Sequence, residues 1–227
     1  MHVNRRKFIN RMAAAAVLAG TASSPVLAAT ATRRFITYLG RRQVGETSTI
    51  LTRRGSRVIA ETEARLHVSI LGLINFDYHL TSREVWRNGV LMEIQATTNN
   101  DGRAEFVNAQ RIDSGLQIDS SRFQGVVPGN PATTSYFTED FMSRPVWIST
   151  QDGNPLSLIV ENKGASTFET SEGVLNCTKY TTRGKLKINL FYDQNHEWIG
   201  SSFRVATRNA AIRMSSRGAS LSQIWAG

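Results

Sequence analysis

The stretch from Arg83 to Arg103 constrains the fold more than any other, because two turn signals bracket a strand pattern in it. Asn88-Gly89 and Asp101-Gly102 are residue pairs that accept positive φ at little cost, which a two-residue hairpin turn demands. Between them Met92, Ile94 and Ala96 alternate with Glu93, Gln95 and Thr97, the period of a strand with one buried face. Such a segment pairs antiparallel with the strands on both sides, and the stretch predicts the second strand of a meander. Arg57 to Ile70 repeats the pattern, with Val58, Ala60, Thr62, Ala64, Leu66, Val68 and Ile70 opposite Arg57, Glu61, Glu63, Arg65 and His67. In Phe76 to Arg87, Phe76, Tyr78, Leu80, Glu84 and Trp86 share one face.

Short strands are expected at Arg33 to Leu39 and Val44 to Leu51. Arg41-Arg42 and Arg53-Arg54 fall in turns, since an arginine pair inside a strand would bury one charge. Arg103 to Arg111 and Leu116 to Phe123 continue the meander. Strands then return at Leu156 to Glu161, Ser166 to Ser171, Val174 to Thr182, Lys185 to Asp193, Glu197 to Ala206 and Ala210 to Met214, with Asn162-Lys163-Gly164 among the turns. No helical period is long enough for a crossover between parallel strands. The expected fold is all-β and mainly antiparallel, a single domain over 33–214 of roughly ten strands curved into a half-barrel or barrel. Gly125 to Trp147 breaks the pattern. It holds three of the five prolines, two of them in Gly125 to Pro131, the aromatics Tyr136, Phe137, Phe141 and Trp147, and Thr138-Glu139-Asp140 as a helix start, so it predicts a short helical or loop lid over one opening. Residues 215–227 read as a polar C-terminal tail with a helical turn at Leu221 to Trp225.

Residues 1–28 read as an export signal: a charged start, the apolar run Met12 to Ala19, and Val26-Leu27-Ala28 as a small-residue cleavage site. Asn4-Arg5-Arg6-Lys7-Phe8-Ile9 resembles the twin-arginine motif, so the partner expected for Arg5 and Arg6 is the twin-arginine export machinery. The alternatives are a general secretory signal with two arginines, and cleavage after Ala31. The apolar run is about half the ~20 residues that a membrane span needs, so no integral membrane segment is expected after cleavage and the mature protein is expected to be soluble and periplasmic.

The leader also explains much of the charge. Of 27 basic residues, Arg5, Arg6, Lys7 and Arg11 lie in a leader without acids, and the remainder exceed the 18 acidic residues by only five. That excess does not indicate nucleic-acid binding. The residual charge is uneven, however: seven arginines and one acid, Glu46, lie between Thr30 and Ala60, a basic rim suited to water, to anionic headgroups or to an acidic partner. Cys177 is single, in a strand pattern, and reads as a buried inert thiol. No nucleophile elbow, zinc-protease helix, phosphate loop or calcium loop is present, and no cofactor or metal is expected. His67, His79 and His196 read as surface residues; His79 and Glu84, five apart in one strand, face opposite ways.

Trp86-Arg87-Asn88-Gly89-Val90-Leu91, Ala96-Thr97-Thr98-Asn99-Asn100-Asp101-Gly102, Tyr136-Phe137 and Leu190-Phe191-Tyr192-Asp193 with Trp198-Ile199 together resemble an uncharacterised family of exported bacterial β-proteins. Through that family the chain resembles the half-barrels of the lipoprotein-localisation carriers, which implies an antiparallel sheet curved around a helical lid and an acyl chain in the concavity. The first functional expectation is a periplasmic protein that binds or carries an apolar or lipid-like ligand. Tyr78, Leu80, Trp86, Met92, Ile94, Phe141 and Trp147 would line the site, with Glu84 as the orienting polar group. The alternatives are an envelope assembly protein acting through a basic surface, and an enzyme using a buried Glu84 as acid or base. Glu84 is the local inconsistency in the pattern: burial on an apolar face raises a carboxyl pKa unless an inward arginine or an open sheet end relieves it.

Overall fold

Strands form at nearly every place where the period-two pattern is found. The computed structural model describes residues 29–70 and 74–225; the leader with its export motif, and positions 71–73 of the apolar patch, lie outside them. The first half of the chain is a continuous meander of β1 (Ala29–Leu39), β2 (Arg42–Arg54), β3 (Arg57–Ile70), β4 (Ile74–Arg87), β5 (Val90–Asn100), β6 (Arg103–Ile112), β7 (Gly115–Ser120) and β8 (Gln124–Val127). The second half comprises β9 (Ala132–Thr133), a 3-10 turn (Glu139–Ser143), β10 (Val146–Ile148), β11 (Pro155–Thr170), β12 (Gly173–Gly184), β13 (Asn189–Tyr192), β14 (Trp198–Val205), β15 (Arg208–Arg217) and the short helix α1 (Leu221–Trp225). The two expected hairpin turns carry the backbone they require: φ is 49° and 71° at Asn88 and Gly89, and 54° and 84° at Asp101 and Gly102.

All fifteen strands belong to one sheet, ordered β8-β7-β6-β5-β4-β3-β2-β1-β15-β14-β13-β12-β11-β10-β9. Neighbours are antiparallel except β9 and β10, which run parallel. The two edge strands, β8 and β9, are joined by only residues 128–131. A link of that length spans at most about 17 Å, so the sheet must curl until its edges meet. Side chains and turns then close the seam. The Arg122 N–H donates to the Asp152 carbonyl at 3.1 Å, the Thr98 hydroxyl to the Gln151 carbonyl at 3.1 Å, and Asn130 links back to Gly89 and Leu91 at 2.9 and 3.1 Å.

Several expectations change. Of the arginine pairs expected in turns only Arg41 is in one; Arg42, Arg53 and Arg54 lie at the ends of β2, where the strand's margins leave them accessible to water. Asn162-Lys163-Gly164 is a bulge and not a turn: Gly164 (φ 79°) donates its N–H to Asn162 Oδ1, the register shifts by one step, and β11 runs on to Thr170. Lys185 to Ile188 is not strand, because the Thr182 hydroxyl bonds the backbone of both Leu186 and Ile188 and widens the loop. A bulge opposite Val85 and Trp86 pairs Trp86 with Leu91, so Leu91 is fully buried and Met92, expected to face inward with Ile94, is only half-buried. The segment expected as a lid lies inside the barrel: Phe137, Phe141 and Trp147 are buried in the same core as Trp86 and Ile94. The tail is drawn in as well, with Leu221 and Ile224 buried.

Candidate functional site

Alternation along β4 aims Tyr78, Leu80, Ser82, Glu84 and Trp86 into the barrel, and Ile94 joins them from β5. Trp86 is the centre of an aromatic cage. Its ring stacks on Phe141 at 5.0 Å, meets Phe137 edge-on at 6.0 Å, and meets Trp225 of α1 edge-on at 5.3 Å. Phe137 and Phe141 also contact Trp225, at 5.1 and 6.0 Å. The Arg144 guanidinium lies 5.2 Å from the Trp86 ring and 5.1 Å from the Phe141 ring, and donates to the Pro131 and Gly89 carbonyls at 3.2 and 3.0 Å.

Glu84 lies beside this cage at 1% exposure. Its Oε2 accepts from Trp86 Nε1 and from the Thr133 hydroxyl, both at 3.0 Å, while Oε1 has no hydrogen-bond partner among the described residues. The Thr133 hydroxyl lies 2.6 Å from that of Ser135. Among the described residues no arginine pairs with it, and at 1% exposure water does not reach it. Burial pushes its pKa up to about 7, against the downward pull of Thr133, Ser135 and Trp86. Near neutral pH it is therefore divided between acid and carboxylate, able to donate or accept a hydrogen bond.

The other predicted lining residues do not all meet here. Trp147 is buried against Tyr136 at 5.8 Å and donates from Nε1 to the Arg144 carbonyl at 3.0 Å. Tyr78 faces inward near Glu105, Asp152 and Thr98, towards the opposite part of the barrel, and burial raises its pKa. The sequence reading missed Phe137, Thr133, Arg144 and Trp225 as site residues. Phe137 stands four before Phe141, a spacing that could have paired them, whereas Trp225 gave no signal beyond its aromatic ring in a polar tail.

Two anchors hold the inserted segments. On the 3-10 turn, Glu139 Oε1 accepts from the Tyr180 hydroxyl at 2.6 Å and Oε2 pairs with His196 Nδ1, which raises the His196 pKa. On the C-terminal segment, buried Arg33 pairs with buried Glu197, donates to the Ala219 carbonyl at 2.8 Å, and leaves the other Glu197 oxygen to the Ser220 hydroxyl at 2.5 Å. His67, His79 and His196 are all exposed. Among the described residues no three His, Cys, Asp or Glu side chains converge on a metal position, and no helix is long and apolar enough to cross a membrane. Open grooves mark the outer face, one of about 660 Å³ between residues such as Ser48, Glu61, Glu63, Thr81 and Asn108 and another beside the exposed His67–Asp77 pair.

A model of a domain of unknown function, DUF6134, matches residues 35–215. The chain belongs to the DUF6134 family. No curated protein matches the sequence of this DUF6134 chain. Its fold is similar to a crystal structure of a beta-barrel-like protein of domain of unknown function DUF1849 from Brucella abortus, with a TM-score of 0.58 and 7% identity, covering 84% of this chain and 98% of that one. At that identity the likeness carries the fold of the DUF6134 chain alone, a large, mostly antiparallel, open curved sheet, and none of its chemistry.

Proposed function

We propose that this is an exported periplasmic binding or carrier protein whose barrel takes one apolar or amphipathic ligand, and that the ligand competes with the chain's own C-terminal helix for the aromatic cage. The observation that carries this reading is the origin of Trp225. Trp86, Phe137 and Phe141 present a continuous aromatic surface, and the ring that completes it comes from a terminal five-residue helix and not from the sheet. Glu84 supplies the polar end of the site, with an oxygen that has no hydrogen-bond partner among the described residues. The magnitudes permit exchange. Leu221, Ile224 and the half-buried Trp225 together contribute about 5 kcal/mol of apolar burial, whereas an acyl chain of about a dozen methylenes gains about 10 kcal/mol on leaving water.

Export by way of Arg5 and Arg6 belongs to the same proposal. Cleavage after Ala28 would leave β1 whole, whereas cleavage after Ala31 would remove the ladder pairs of Ala29, Thr30 and Ala31 with β2 and the buried Ala31 side chain. Binding of a dansylated fatty acid, followed by fluorescence, tests the site. The intact chain binds it, Trp225→Ala binds it more tightly because the competitor is weakened, and Glu84→Gln alters its pH dependence. Absence of binding by both the intact chain and Trp225→Ala, with circular dichroism unchanged, would overturn the reading.

A further inference from the structure

Three arginines lie in one lateral row at the rim of the barrel. Arg54, last in β2, pairs directly with Arg57, first in β3, and Arg57 pairs directly with Arg87, last in β4. Directly opposed residues share a face, and since Val58 and Trp86 point inward, the three arginines point outward. All three are exposed, and no salt bridge to any of them is found among the described residues. The acids along this part of the sheet include Glu61, four residues on from Arg57 and opposite Arg83, and Glu93, which lies opposite Val85 and pairs with Arg83 at 3.5 Å. Like charges directly opposite each other destabilise a sheet, so the row works against the fold that carries it.

The surroundings of the row indicate what would compensate it. It spans about 10 Å, two strand spacings, in a line along a protruding rim, where all three guanidinium groups can reach one plane. The Asn88 N–H bonds the Ser56 carbonyl at 3.3 Å and ties the two turns into one edge. Arg53, beside the row but facing inward, donates to the Ile224 carbonyl at 3.4 Å, so the rim adjoins α1 with its half-exposed Trp225. A flat anionic surface with an apolar interior matches both the cationic line and the aromatic ring next to it. We propose that the Arg54–Arg57–Arg87 rim docks the barrel on an anionic phospholipid surface. Docking stands whether or not the interior accepts a ligand.

Co-sedimentation of the intact chain with vesicles tests it. Vesicles of phosphatidylcholine containing phosphatidylglycerol bind the protein, pure phosphatidylcholine vesicles do not, and added salt releases it. Removing the row with Arg54→Ser, Arg57→Ser and Arg87→Ser weakens partitioning on the order of 100-fold, about fivefold for each arginine. Removing equal charge elsewhere, by Arg41→Ser in a turn and Arg204→Ser and Arg208→Ser at exposed strand ends, changes it far less. Circular dichroism of both triple variants reports that they are folded. Equal losses in the two variants, or equal binding to neutral vesicles, would overturn the proposal. So would capture of soluble polyglutamate by the row without vesicle binding, which would assign it to an acidic protein.

Discussion

Glu84 and Glu197 are both sealed inside the same barrel, at 1% and 2% exposure. Glu197 is matched on both oxygens, by the Arg33 guanidinium and the Ser220 hydroxyl. Glu84 is bonded on one oxygen by two neutral donors and forms no ion pair among the described residues. Burying an ion pair is close to neutral for stability, while burying one unmatched charge is expensive, so the two carboxylates serve different ends. The Arg33–Glu197 pair fixes how the chain leaves β15 and turns back into the barrel. Glu84 is a standing cost to the fold beside the aromatic cage.

The largest expected effect comes from breaking the matched pair. Arg33→Met should destabilise the fold by about 3–5 kcal/mol in denaturant melts, because it strands the Glu197 charge, and adding Glu197→Leu should recover most of the loss. If the double variant is no better than the single one, the pair is not what costs the stability.

Glu84→Gln should act in the opposite direction. A carboxyl pKa raised by folding makes the unfolded chain release its proton first, so native stability falls as pH rises from 4.5, the ordinary value, to about 7. Below that window wild type and variant should be alike; above it the variant should be more stable by roughly 3 kcal/mol. A wild-type stability that does not change across the window would mean that Glu84 is solvated or paired.

Smaller effects separate the two sets of donors. Thr133→Val removes one of the two bonds to Glu84 Oε2 and should cost about 1 kcal/mol below pH 7 and more above it, where the carboxylate needs the donor most. Ser220→Ala should cost about 1 kcal/mol or less, since Arg33 still faces Glu197. Chemical denaturation at two pH values resolves both.

The architecture was legible in the sequence because it is written in local signals. Asn88-Gly89, Asp101-Gly102 and the alternation of β3 to β5 each specify hairpin and face without reference to distant residues. Glu84 was also legible, as a charge on the apolar side of its strand. Its partner Thr133 was not, because a two-residue strand in parallel pairing has no period to read. Met92 misled for a related reason: the bulge that turns it aside is set by the pairing of β4 with β5 and leaves no trace in the alternation of β5 alone. The aromatic cage was half visible, in Trp86 and Phe141. Its remaining half depends on two segments folding back into the concavity, which is a property of the curved sheet and not of any stretch of residues.

The position of β1 has a consequence for how the chain is made. It is the middle strand of the fifteen, with β2 on one side and β15 on the other, in a register that runs from Arg33 opposite Arg217 to Leu39 opposite Ala210. Of the described strands β1 is made first and its second neighbour, β15, is made last. Throughout that interval one flank of β1 offers unpaired N–H and C=O groups, a template for joining the wrong strand. Pairing across so long a separation is slow, and it must precede closure of the barrel around its inserted segments. A factor that shields the nascent flank of β1 is therefore expected to raise the yield of folded protein more than one that acts on any later strand.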